Sequence, residues 1–178
     1  MSIREANGLG LVVDVSERLK DQPKIRVLVY GAGDDVERLR AACSDRNINY
    51  LVFKGPVDKT YVPYILSKSD LNVLNYNPDS TVIYRFGSSQ NKLFEYLASG
   101  KPILSTVKIA YSILKKYNCG IEAEQPTAEG VAQGILKLYQ MTPQQRLQIQ
   151  ENCQRAAEEY DFKQLTQKLM DVIEGGSR

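Results

Sequence analysis

The chain has 178 residues, 43% of them hydrophobic and 25% charged, which suits one ordinary globular domain with a real core. Its 23 basic and 21 acidic residues leave a net charge of +2, too balanced for a nucleic-acid-binding surface or a polybasic membrane arm. No histidine is present, which removes the commonest general base and metal ligand, and no run approaches the roughly 20 apolar residues of a membrane span.

The start, "MSIREANGLG", has no apolar core behind its charges and so does not read as a signal peptide. Cys43, Cys119 and Cys153 share no metal-ligand or redox spacing, and an odd, scattered set reads as reduced thiols. Both point to a cytoplasmic chain.

Leu9, Val12, Val13, Val15 and Leu19 recur with helical spacing up to "KDQPK". "IRVLVYGAG" reads as a buried strand running into glycines, and "DDVERLRAACSDRN" as a helix with acids in its first turn. "INYLVFKGPV" is a second strand ending at Gly55-Pro56. "DKTYVPYILSKS" is a short helix, "DLNVLNYNP" a strand and "NKLFEYLASG" a helix. "KPILSTV", "YSILKKYN" and "CGIEAEQ" follow as strand, helix and short edge strand. Thr127, Thr142 and Asp161 then cap three helices that run from about 127 to 174.

Strands alternating with helices over this length predict an α/β domain, a doubly wound parallel Rossmann-like sheet spanning residues 1–178. The five strands fall near 25–30, 48–53, 70–75, 102–106 and 120–123. Such a sheet ordinarily opens with a strand, whereas this chain opens with the helix. In the order 3-2-1-4-5-6 the missing first strand is central. Either the sequence begins one strand late, or "MSIRE" is a remnant of that strand, or another segment or chain fills the gap; where the first residues do not supply it, homo-association is expected.

Ligands of open parallel sheets bind at the carboxyl ends of the strands. There Gly31 and Gly33 either allow close backbone approach or make a tight turn. The long polar loop "NYNPDSTVIYRFGSSQNK" delivers Ser88, Ser89 and Asn91 to a helix start, where free N–H groups and the dipole favour an anion such as phosphate. Lys92 in that first turn opposes the dipole and suggests an anionic ligand, though a solvated lysine explains it too. Glu95, one turn on, either accepts hydrogen bonds from a vicinal diol or forms a weak surface pair with Lys92 or Lys101. No Asp-x-Asp pair marks a metal site at this edge.

At "SSQNKLFEYLASGKPI", with "VLVYGAG", "YLVFKGPV", "YILSKSDLNVLNY" and "CGIEAE" in the same order, nearly the whole chain resembles the nucleotide-sugar-binding half of GT-B glycosyltransferases of the large retaining family. It is nearest in pattern to bacterial enzymes of capsule and cell-surface polysaccharide synthesis. The resemblance implies a C-terminal donor-binding domain whose acceptor-binding N-terminal domain lies outside this sequence, inactive alone and with no catalytic residue assigned. It implies a UDP- or GDP-type sugar donor, no metal or other cofactor, and a place at the inner face of the membrane for the full enzyme.

By the same resemblance Glu95 accepts the ribose hydroxyls, while Ser88, Ser89, Asn91 and Lys92 hold the diphosphate with Arg4. Gly55 and Val57 meet the base. The last helix crosses to the other domain, so Leu165, Leu169 and Ile173 are expected to stand partly exposed here. Two positions depart from the family. Gly87 stands where the first glutamate of a two-glutamate motif is expected, eight before Glu95, and Asn7 falls where a diphosphate lysine is expected. Those departures keep open a non-catalytic nucleotide-binding or interaction module that retains the fold. A sugar-nucleotide epimerase is disfavoured by the lack of histidine.

Overall fold

The computed structural model describes residues 3–4, 7–80, 84–87 and 90–175. Five strands alternate with helices among them: β1 (Val27–Tyr30), β2 (Leu51–Gly55), β3 (Asn72–Leu74), β4 (Ile103–Ser105) and β5 (Gly120–Glu122). The helices are α1 (Gly10–Arg18), α2 (Val36–Asp45), α3 (Val62–Ser67), α4 (Asn91–Ala98), α5 (Ile113–Tyr117), α6 (Ala128–Tyr139), α7 (Pro143–Glu159) and α8 (Phe162–Gly175). Every ladder is parallel, so the expected α/β class and sheet direction hold.

The strands form two sheets, β1-β2 and β3-β4-β5, with no ladder between β1 and β3. The break falls where the sequence leaves its central strand unaccounted for. Ile3 and Asn7 stand at the carboxyl end of that gap, one on each side of it. The Ile3 N–H donates to the Ala32 carbonyl at 2.9 Å, and Ile3 is 0% exposed. On the far side the Asn7 carbonyl accepts from the Asn75 side-chain amide at 2.8 Å, just past β3. Ile3 and Asn7 therefore bond to the two sides of the gap, and no sixth strand forms among the described residues.

α1 joins the two half-sheets through its apolar spacing. Val13 packs in one cluster with Val29, Leu39 and Leu51, whereas Val15 and Leu19 pack with Leu104, Val131 and Leu138. A third cluster sets α4, α5 and α7 against the other face of β4, through Leu93, Leu97, Ile103, Leu114 and Cys153. Thr127 and Thr142 cap α6 and α7 as their sequence positions predict, the latter in a reciprocal capping box with Gln145. Asp161 accepts from the Lys163 N–H at the start of α8.

α8 buries none of its residues. Phe162, Leu165, Leu169, Val172 and Ile173 stand exposed along it, in line with the expectation for that helix. No helix among the described residues is long and apolar enough to cross a membrane.

Candidate functional site at the carboxyl ends of the strands

The ends of β1, β2, β3 and β4 feed loops to one edge of the molecule, and the described residues among those singled out from sequence lie in or beside those loops. Arg4 is exposed, next to Ile3. Gly31 follows β1 and donates its N–H to the Gly55 carbonyl at 2.8 Å, which ties the ends of β1 and β2 together. Gly55 has φ +79 with open space around it, a backbone state that glycine takes freely. Val57 is partly exposed beyond it.

Gly33 has an internal reason to lack a side chain: a Cβ there would lie 1.9 Å from the Ile3 carbonyl oxygen. The close approach that this glycine permits is made by Ile3 of the chain itself.

At the end of β3 the chain loops out and returns as α4. Ser88 and Ser89 lie outside the described residues. Gln90 occupies the N-cap position of α4 and makes no side-chain cap bond, so its side chain leaves the first-turn N–H groups to other partners. Asn91 is exposed in that turn and Lys92 half-buried. Burial pushes the Lys92 ammonium below its ordinary pKa, and the nearby Glu95 carboxylate partly offsets this. Glu95 also faces Tyr96, whose phenol is held up to about 12, first by burial and then by that carboxylate. Leu93 and Leu97 bury the other side of the helix, which fixes Lys92 and Glu95 at the rim. A cation and an acid one turn apart at a helix start can hold an anion and a diol together.

Gly87, in the position expected to bear an acid, has φ +93. A glutamate would sit there only with strain, so the backbone agrees with the residue present.

The loop after β4 holds residues that sequence reasoning passed over. Tyr111 is 92% exposed with φ +56, and its ring lies 3.9 Å from where a Gly87 Cβ would stand. Its neighbours are pinned. The Ser105 hydroxyl donates to the Val107 carbonyl at 2.7 Å, and the Ile109 N–H donates to the buried Glu122 carboxylate at 3.2 Å. Glu122 also forms an ion pair with Lys115 at 2.7 Å. The Tyr84 carbonyl accepts from both Gly87 and Ala110, which joins the β3–α4 and β4–α5 loops. The one signal in the sequence was an aromatic in a polar strand-end loop. Among the described residues no three His, Cys, Asp or Glu side chains converge as metal ligands would.

Residues 1–141 match the family described as glycosyl transferases group 1. The chain is 24% identical over 164 residues to an uncharacterized glycosyltransferase of Methanocaldococcus jannaschii, covering 91% of this chain and 39% of that one. Among solved structures, HepE of Anabaena in complex with UDP superposes with a TM-score of 0.78 at 16% identity, covering 98% of this chain and 47% of that one. The C-terminal domain of a group 1 family glycosyl transferase, LpcC of Francisella tularensis, gives a TM-score of 0.71 at 16% identity, covering 89% of this chain and 82% of that domain. The chain thus spans less than half the length of the archaeal relative and of HepE, and it shares the Rossmann-like fold of GT-B glycosyltransferases.

Proposed function

Because the chain belongs to the glycosyl transferase group 1 family, we propose that its strand-end site binds a nucleoside diphosphate sugar and forms the C-terminal, donor-binding half of a retaining GT-B enzyme. The observation that carries this reading is α4, which sets Asn91, Lys92 and Glu95 together at the carboxyl end of β3. The match to a structure described as a C-terminal group 1 domain, and HepE's complex with UDP, support the placement and the nucleotide. Glu95 accepts the ribose hydroxyls. The first-turn N–H groups of α4, with Lys92 and Arg4, hold the diphosphate, and the turn at Gly55 and Val57 meets the base.

Sugar transfer leaves negative charge on the departing diphosphate. Fixed amides and cations aimed at it stabilise that charge without reorganising, and no divalent ion enters this reading. The acceptor belongs to a separate N-terminal domain, for which the uncovered apolar side of α8 is a fitting surface. Synthesis of capsule or cell-surface polysaccharide, at the cytoplasmic face of the membrane, is the setting that the sequence resemblance suggests. A second reading, a nucleotide-binding or interaction module without catalysis, draws on the departures at Gly87 and Asn7.

Calorimetric titration with UDP and with GDP, each with and without EDTA, tests the proposal. The wild-type chain is expected to bind one of them in the millimolar range, with EDTA making no difference. Glu95→Ala should weaken binding roughly tenfold or more, since it removes charge-assisted hydrogen bonds. If neither nucleotide binds, the reading falls. Hydrolysis of a panel of nucleotide sugars by this chain joined to an acceptor-binding domain separates an enzyme from a silent module.

A further inference from the structure

We propose that Tyr111 is the platform on which a pyranose ring rests, recognising sugar at the place where Gly87 supplies no side chain. This deepens the nucleotide-sugar reading of the same site and depends on it.

Tyr111 stands out first by its backbone. Among the described residues three non-glycine positions have positive φ: Asn47, Asn118 and Tyr111. Two are asparagines at helix ends, the residue type that tolerates this conformation best. A bulky tyrosine does not, and at 92% exposure its ring draws nothing from the core that could offset the strain. Strain that the surrounding structure holds in place points to a function of the side chain.

The surroundings do hold it. Ile109 and Ala110, the two residues before it, have their N–H groups tied to Glu122 and to the Tyr84 carbonyl, and Ser112, the residue after it, caps α5. The Glu122 carboxylate that anchors this loop is almost wholly enclosed, with Lys115 beside it. The backbone that carries the aromatic ring is thereby held in front of the strand ends.

Its position fits a sugar better than a base. The strands run β2-β1 and then, past the gap, β3-β4-β5. With the base at the end of β2 and the diphosphate at α4, which follows β3, the next group of a nucleotide sugar lies toward the end of β4. Tyr111 follows β4 and lines the Gly87 side of that space. The flat, rigid face of a tyrosine suits the C–H face of a pyranose and orders few torsions in binding it. The ring belongs either to the donor sugar or to a sugar acceptor.

Titration of wild type, Tyr111→Ala, Tyr111→Phe and Tyr111→Gly with UDP, UDP-glucose and UDP-N-acetylglucosamine tests the assignment. Saturation-transfer NMR with free glucose, in the presence of UDP, completes it. For a donor sugar, the affinity advantage of a UDP-sugar over UDP falls about threefold to tenfold in Tyr111→Ala and survives in Tyr111→Phe. For an acceptor sugar, transfer to free glucose is lost in Tyr111→Ala and kept in Tyr111→Phe. Tyr111→Gly, which keeps the backbone conformation, should behave as Tyr111→Ala.

Unchanged sugar responses in Tyr111→Ala overturn the assignment, as does an equal weakening of UDP and of the UDP-sugars. If UDP binds and sugar effects are absent, the platform alone fails. If neither UDP nor GDP binds the wild type, the nucleotide reading fails first; if GDP alone binds, the same comparison is made with GDP and GDP-sugars.

Discussion

β1 and β4 are both short parallel strands of apolar sequence, and they end up in very different surroundings. All three residues of β4 are buried, whereas Leu28 of β1 is 48% exposed. β4 has a strand on each side, α4 and α7 over one face, and α1 and α6 over the other. Among the described residues β1 has a strand on one side only, and its buried residue, Val29, looks toward α1 and α2. Burial of a strand is thus conferred by its neighbours more than by its own composition. Among the described residues α1 packs on both halves, and Ile3 and Asn7 bond to either side of the gap between them.

The largest test of this contrast is a pair of truncations. Leu104→Ala should cost about 3 kcal/mol, within the usual range for an enclosed leucine, and Leu28→Ala less than about 1 kcal/mol. Urea unfolding followed by circular dichroism measures both; equal costs would break the contrast. Next comes Gly33→Ala. A methyl group overlapping the Ile3 carbonyl must displace Ile3, at about 2 kcal/mol, the scale of an overpacked contact. Hydrogen exchange should speed up at the Ile3 and Asp35 amides and stay unchanged in β4, because the Asp35 N–H also depends on the Ile3 carbonyl.

The smallest effect is in alkali. Burial raises the phenol of Tyr50 in the first half and that of Tyr96, to about 12, in the second. A folded pKa above the unfolded value of about 10 means that the stabilisation is complete below pH 10 and lost as pH rises toward 12. Tyr96→Phe should flatten the decline more than Tyr50→Phe does.

The sequence was legible wherever a local signal decided the outcome. Alternation of strand and helix, the threonine caps and the lack of a central strand could all be read because each needs only neighbouring residues. Glu95 and Lys92 could be placed at a helix rim because Leu93 and Leu97 define the opposite side. The contact at Gly33 could not be read, since it depends on Ile3, thirty positions earlier. Leu28 looks as apolar as Leu104 and differs only in what covers it. Tyr111 was hidden because no residue pattern encodes a left-handed tyrosine whose loop is held, at Ile109, by Glu122 from another strand.

Gly87 carries a consequence for how such a site can change. At φ +93 the position takes a glutamate only with strain, while Ala110 and Tyr111 stand at ordinary contact distance from a Cβ there. Restoring the first acid of the motif by one substitution therefore meets a backbone cost on the order of 1–2 kcal/mol and no steric block. The Tyr84 carbonyl, which binds two loops at once, holds the segment that would have to absorb that strain.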